Sequence, residues 1–355
     1  MHISHHTDWT VVLGLFLLQF PDPFAYLSVA ALFGIAAQFQ AMDGYFLLHR
    51  IISIFERRIG IVYAVAAVAT LFSPFIMNDV VILVLTPVLI KHAKQYRVDI
   101  APLIVSEVTF TNIAGSLTPI GNPQNILLWI SSGISYTDFV LGTWLPLAFS
   151  GIIALVSLAI FRLRPTADLQ TEAATVRSLH PAIYLAIVTL MLILSELASV
   201  PSYLALAAGF MFGFAFTVRF LRLVRKMFDF KGLLILYFFI GSVTLFSGFL
   251  KPLLGQYAGS AASGAQPYSA MFMALSSNLI SNVPATQLLL SVASIPPVIA
   301  PRIAVEAGLA GNLDPISSFA LLLALLMVRR AGLPVRRAIG LQLIIGIISF
   351  LPAAL

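Results

Sequence analysis

"AGSLTPIGNPQNILLW", residues 114–129, interrupts a chain that is apolar almost from end to end. Gly115, Ser116, Thr118, Pro119, Gly121, Asn122 and Pro123 crowd into it. Pro119 lacks the N–H that a helix would give to the Gly115 carbonyl four residues back, and Pro123 leaves the Pro119 carbonyl free in the same way. Asn122 then reads as a helix N-cap with Pro123 at the first helical position. A half-helix from there to about residue 134 is ~18 Å long, a little over half of a ~30 Å hydrocarbon core. Orphaned backbone groups in hydrocarbon cost several kcal/mol each, so such a break is tolerated only inside protein or beside a watery cavity.

The surrounding composition is that of an all-α polytopic membrane protein. Of 355 residues, 60% are hydrophobic and 10% charged, where a soluble domain carries roughly 25% charged residues. Mean hydropathy is +1.00. The absence of cysteine excludes disulfides and thiolate metal sites. His2, His5, His6, His49, His92 and His180 all fall near predicted membrane edges, which argues against a metal or catalytic centre at membrane depth. Neither HExxH nor GxSxG occurs, so nothing points to an intramembrane enzyme, a metal or a cofactor. Residues 1–7 lack Lys and Arg and "QFPDPF" is a poor cleavage site, so no signal peptide is expected.

Apolar spans are expected at 8–20, 24–42, 60–77, 80–90, 100–134 (interrupted), 139–161, 181–198, 203–218, 233–250, 268–295 (interrupted), 303–328 (interrupted) and 338–354. A crossing helix needs about 17–25 residues. The pair 60–77 and 80–90 therefore reads as a re-entrant hairpin with Asn78 and Asp79 at its tip, and 268–295 repeats it with "SNLISNVPA". Under this threading all of the 20 Lys and Arg except Lys251 and Arg302 lie on one side. The positive-inside rule then puts the N-terminus in the cytoplasm and the C-terminus outside. It also accounts for the net charge of +6 without a nucleic-acid partner. The basic run 219–232 reads as an ordinary cytoplasmic anchor.

The opening stretch has an echo. "AGSLTPI" at 114–120 matches "AGNLDPI" at 310–316, and the tips Asn78 and Asn282 follow the same order in each half. Pro315 leaves the Gly311 carbonyl free by the same spacing of four. The order and the opposite topology imply two inverted repeats. The expected organisation is an N-terminal helix at 1–23, repeat 1 at 24–161 (hairpin 60–90, broken helix 100–134) and a cytoplasmic linker at 162–180. Connecting helices at 181–231 lead to repeat 2 at 232–355 (hairpin 268–295, broken helix 303–328). Inverted repeats with broken helices around a midplane site are an architecture of secondary transporters. The half-helix dipoles suit an anionic or polar ligand, with Asp79 and Asn282 expected to cap the returning hairpin helices.

"SLTPIGNPQNILLW", "MNDVVILVLTPVLI" and "SNVPATQLLL" resemble the ion transporter superfamily of ArsB arsenite permeases, CitM citrate carriers, NhaD antiporters and divalent anion symporters. The resemblance extends to its small ArsB/CitM-like permeases of the YbiR type. It implies a homodimer in the inner membrane that moves substrate by an elevator-like motion, and a soluble ATPase partner as for ArsB-like permeases. Carried over by position, the substrate and ion sites are Asn78, Asp79, Thr118, Gly121, Asn122, Asn125, Ser281, Asn282, Asn312, Asp314 and Ser317. The tips read Met-Asn-Asp and Ser-Asn-Val instead of the sodium symporters' Ser-Asn-Thr, which favours the ArsB-like branch.

An ionisable residue at membrane depth is expensive and by default functional, so Asp79 is the expected proton carrier, against the reading that it caps a helix. Glu107 shares a helix face with Thr111 and Gly115 and is a second coupling candidate. Glu306 is expected near the outer interface. Asp314 either serves a ligand or caps the turn before Pro315. The expected function is proton-coupled transport of a small anion or oxyacid such as arsenite. A sodium/proton antiporter, a sodium-coupled carboxylate symporter and a passive channel are the alternatives.

Overall fold

In the computed structural model of the chain, residues 44–161, 179–198, 200–214, 257–263 and 267–354 are described, with positions 31, 34, 35, 38, 39, 42 and 252. The expected spans 8–20 and 233–250, the N-terminal helix at 1–23 and the basic run 219–232 lie outside them. So do most of the span 24–42 and most of the linker 162–180. The described elements are all helical: α1 (Gly44–Ile59), α2 (Ile61–Ile76), α3 (Asn78–Tyr96), α4 (Ala101–Gly115), α5 (Pro123–Ser132) and α6 (Tyr136–Ile160). They continue with α7 (His180–Leu197), α8 (Ser202–Gly213), α9 (Tyr268–Ile280), α10 (Asn282–Val292), α11 (Ala300–Ala310), α12 (Phe319–Arg330) and α13 (Arg336–Ala354).

Two of these, α6 and α13, are long and apolar enough to cross a membrane unaided. Ser135 starts α6 by accepting from the Asp138 N–H at 3.0 Å, a side-chain cap on one of the orphan donors of the first turn. Leu141, Trp144, Leu145, Phe149 and Ile152 then lie exposed along α6, apolar surface that is stable only against lipid or another apolar face. The all-helical architecture with these two apolar helices fits a helical membrane protein.

At the centre sits α4, every residue of which is buried from Ala101 to Gly115. It packs on α2, α3, α6, α11, α12 and α13. Helix α11 is its counterpart, almost wholly buried and wedged among α5, α6, α9 and α13. Very close backbone approach explains two glycines here. A Cβ on Gly308 of α11 would meet Ser116 Oγ at 1.6 Å, and one on Gly346 of α13 would meet the Asn312 carbonyl at 2.0 Å.

The basic end of α3 packs against α1. Here His92 Nε2 lies 3.8 Å from Glu56 Oε1, and its ring packs on Tyr96 with centroids 4.8 Å apart. Burial, then the neighbouring His49, pushes the His92 imidazole down to about 4, so it stays neutral in this crevice.

Candidate functional site

Four helices begin at the two breaks and two turns that interrupt the core. After α4 the chain runs unhelically through residues 116–122 and restarts as α5 at Pro123. After α11 it does the same through 311–318 and restarts as α12 at Phe319. Between α2 and α3 a single residue, Met77 (φ 57°, ψ 137°), interrupts the helix. Between α9 and α10 that residue is Ser281 (φ 73°, ψ 155°). Left-handed φ is uncommon for residues with a Cβ and worth about 1–3 kcal/mol of strain, held only where surroundings over-determine it.

Those surroundings are the neighbouring breaks. The Asn78 N–H, freed by the Met77 turn, donates to the Gly121 carbonyl at 2.8 Å, and the Asn282 N–H donates to the Ser317 carbonyl at 2.9 Å. Gly121 and Ser317 are equivalent in the alignment of "AGSLTPI" with "AGNLDPI", as Asn78 and Asn282 are in the alignment of the turns. The same bond is thus made twice. Gly121 is required at its position, since a Cβ there would stand 2.2 Å from the Gly115 carbonyl oxygen.

The carbonyls that Pro119 and Pro315 were expected to orphan each have an asparagine donor. The Gly115 carbonyl, abandoned by Pro119, accepts from Asn125 Nδ2 at 3.2 Å, and the same amide gives its second hydrogen to the Thr118 carbonyl at 2.8 Å. The Gly311 carbonyl, abandoned by Pro315, accepts from Asn112 Nδ2 at 3.2 Å. Asn125 is buried on α5 and Asn112 on α4. The two amides therefore stand in for the backbone donors that the prolines lack.

Asn112 also joins the halves. Its Nδ2 donates to Asn312 Oδ1 at 2.9 Å, and its Oδ1 accepts from Asn78 Nδ2 at 2.9 Å. Asn122 adds to the cluster, its amide lying 3.2 Å from Ser116 Oγ and, turned to donate, 2.9 Å from Asn78 Oδ1. Gln342 Nε2 of α13 closes the far side, donating to the Asn312 carbonyl at 3.1 Å and to Thr109 Oγ1 at 3.2 Å. Asn112, Thr109 and Gln342 were not singled out from the sequence. The signal for Asn112 was an amide near the C-terminal end of a wholly buried helix, four residues before Ser116.

Several expectations change. Asn122 does occupy the N-cap of α5 with Pro123 at N1, but its side chain caps nothing and faces the asparagine cluster instead. Asp79 and Asn282 do not cap α3 and α10. The cap positions are Met77 and Ser281, and neither makes a side-chain cap bond. Glu306 is fully buried within the protein on α11, accepting from Ser269 Oγ at 2.8 Å and facing Arg302 Nε at 3.4 Å. Asp314 folds onto its own loop, its Oδ1 accepting from the Ile316 and Ser317 N–H groups at 2.7 and 2.9 Å. Thr118, at the matching place, instead donates across to the Pro74 carbonyl at the end of α2.

Asp79 is 4% exposed in the first turn of α3, and among the described residues nothing donates to its carboxylate. Glu107 is fully buried, facing α3, where Thr86 Oγ1 lies 2.9 and 3.0 Å from its two oxygens. Buried oxygens that lack a partner among the described residues gather by sequence at the same features. They include Ser73 and Ser277, each four residues before a turn residue, and Asn125 Oδ1 just after the first break. The donors and acceptors are neutral amides, hydroxyls and helix ends beside a carboxylate. Such a set suits a small polar or ionic ligand.

A family model described as "Citrate transporter" matches residues 2–325. Among curated proteins, the Escherichia coli inner membrane protein YbiR is 37% identical over 103 residues, 29% of this chain and 27% of its own length. The rice silicon efflux transporter LSI3 is 37% identical over 99 residues, 27% of this chain and 20% of its own. An uncharacterized transporter of Methanocaldococcus jannaschii is 27% identical over 165 residues, 46% of this chain and 42% of its own. The matched part of this chain thus spans less than half the length of each.

Proposed function

The chain belongs to the citrate transporter family, and from that premise we propose that it is a secondary active transporter of a small anion or oxyacid, coupled to protons through Asp79. Its membership of a family of transporters leaves no place for an enzyme. The observation that carries the reading is the duplicated bond from each turn to its neighbouring break, Asn78 to Gly121 and Asn282 to Ser317. It supports two inverted repeats whose re-entrant tips and half-helices face one midplane site. Asn78, Asp79, Gly121, Asn122 and Asn125 line that site from the first repeat, and Ser281, Asn282, Asn312 and Ser317 from the second.

Neutral amide and hydroxyl groups at helix N-termini suit a weakly charged oxyacid, and the rice relative is a silicon efflux transporter. The family's description favours a carboxylate, which remains the alternative substrate class. Thr118 and Asp314 serve the backbone in this reading, Thr118 by tying the first tip and Asp314 by capping its own turn. Glu107 is a second coupling group. The elevator motion, the homodimer, the cytoplasmic N-terminus with external C-terminus and the soluble ATPase partner rest on the family resemblance and the charge pattern.

The test is flux in proteoliposomes with a panel of arsenite, silicic acid, citrate and succinate, under proton and sodium gradients imposed separately. Uptake or efflux driven by the proton gradient is expected, with its pH dependence lost in Asp79→Asn. Unchanged pH dependence in that variant would remove Asp79 from the coupling step. Flux that follows sodium alone would replace the proton-coupled reading by a sodium symporter.

A further inference from the structure

A cleft of about 710 Å³ opens between the C-terminal ends of α3 and α12. It is lined by the exposed Lys91, Lys94 and Arg330 with Gln95, and by the apolar Pro87, Ile90 and Met327. Among the described residues no carboxylate pairs with any of the three cations, although the ends of both helices concentrate them. Cations at helix C-termini offset the macrodipole, but that role needs no cleft and no apolar lining.

Toward their N-termini the same two helix faces turn apolar. On α3, Leu83, Pro87, Lys91 and Lys94 recur at steps of four, four and three residues. On α12, Leu322, Leu326 and Arg330 recur at steps of four, so each set lies along one face. Leu83, Leu322 and Leu326 are 38, 41 and 42% exposed. From Leu83 to Lys91, and from Leu322 to Arg330, each stripe rises ~12 Å. One leaflet of the hydrocarbon core is ~15 Å deep. The surface is therefore basic at headgroup level and greasy for about the depth of an acyl chain.

We infer that this cleft is a binding site for an anionic phospholipid, its phosphate held by Lys91, Lys94 and Arg330 and its chains laid along Leu83, Leu322 and Leu326. Charge complementarity selects an anionic headgroup, and the apolar lining selects a lipid over a free anion. The bound lipid would bridge α3, which leads from the first turn, to α12, which leads from the second break. The inference needs only the membrane placement of the chain and is independent of what it transports.

The experiment is native mass spectrometry of the purified full chain released from nanodiscs of phosphatidylglycerol or phosphatidylcholine. One phosphatidylglycerol retained per chain is expected, with no retained phosphatidylcholine. Each cation near an anionic lipid surface contributes about a fivefold gain, so the triple variant Lys91→Gln, Lys94→Gln, Arg330→Gln should bind phosphatidylglycerol about a hundredfold more weakly. Arg57→Gln with Arg58→Gln, at the exposed end of α1, should leave retention unchanged. Equal loss in both variants would mean a general surface attraction and would overturn the site. So would displacement of the lipid by millimolar inorganic phosphate, which would mark a site for soluble anions. A change of oligomeric mass in the triple variant would mark an interface between copies instead, and circular dichroism of each variant separates these outcomes from misfolding.

Discussion

Replacing Asn112 by Ala tests whether one side chain holds the two breaks together. It removes the bond from Asn78 Nδ2 at 2.9 Å, the bond to Asn312 Oδ1 at 2.9 Å and the bond to the Gly311 carbonyl at 3.2 Å. Hydrogen bonds between helices in membrane proteins average about 0.6 kcal/mol, so three give a floor of about 2 kcal/mol. The Gly311 carbonyl raises this figure. Pro315 offers no N–H four residues on, so the oxygen is left buried and unpaired, which costs about 1–3 kcal/mol. The expected loss is about 3–5 kcal/mol, a large part of the ~5–15 kcal/mol by which a native protein is stable. The assay is equilibrium unfolding in mixed micelles with rising dodecyl sulfate, followed by circular dichroism. Running it on Asn112→Ala, Asn312→Ala and the double variant gives the pair's own coupling, expected at about 0.6 kcal/mol and at most about 1.7 kcal/mol. Exposed Ser131→Ala is the control and should stay within about 0.5 kcal/mol. An Asn112→Ala variant as stable as that control, or additive with Asn312→Ala, would refute the reasoning.

Gly121→Ala forces a Cβ to within 2.2 Å of the Gly115 carbonyl oxygen, backbone that cannot swing aside, and should cost about 3 kcal/mol or misfold. Gly133→Ala meets nothing within 4 Å and pays only for φ +67°, about 1–2 kcal/mol in the same unfolding assay. Asp314→Asn keeps an oxygen for the Ile316 and Ser317 N–H groups, so flux should be retained; abolished flux would show that the charge serves a ligand. For His92, depressed by burial to about 4, the unfolded chain binds the proton more readily than the folded one. Stability should therefore fall as pH drops from about 6.5 to about 4, by at most ~1.4 kcal/mol per unit, and His92→Phe should flatten that slope.

What the sequence made legible is what proline and glycine dictate locally. Pro119 and Pro315 announced both breaks and named the carbonyls they would abandon, and those two carbonyls do have substitute donors. The donors themselves were legible only in part. Asn125 lies ten residues beyond Gly115 and was expected at the site, whereas Asn112 reaches Gly311 across 199 residues. No local pattern ties an amide on one buried helix to a carbonyl in the other half of the chain. The cap assignments failed for a related reason. Asp79 and Asn282 were expected to satisfy the first N–H groups of the following helices, but the freed Asn78 and Asn282 N–H groups find backbone carbonyls in the breaks, and the Asp79 N–H is met by Asn78 Oδ1 at 2.8 Å. The burial of Glu306 was not legible either, because Pro301 and Arg302 look like the exposed start of a helix, while the fold buries α11 almost to its first residue.

Thr118 and Asp314 show how two matching breaks came to differ. The first turn is held to its break by two bonds of opposite direction: Asn78 N–H to Gly121, and Thr118 Oγ1 to the Pro74 carbonyl. Pro74 sits two residues from the end of α2, where its carbonyl has no helical donor, so Thr118 satisfies a group that burial would otherwise penalise. At the second break a carboxylate replaces the hydroxyl. An ionised carboxylate only accepts and cannot reach for a carbonyl, so Asp314 turns to the two N–H groups of its own loop. Among the described residues the second turn then keeps its backbone bond from Asn282 to Ser317 but gains no counterpart to the Thr118 bond. One substitution in a seven-residue echo thus converts a strut between elements into a cap within one, and leaves the second turn less firmly tied than the first.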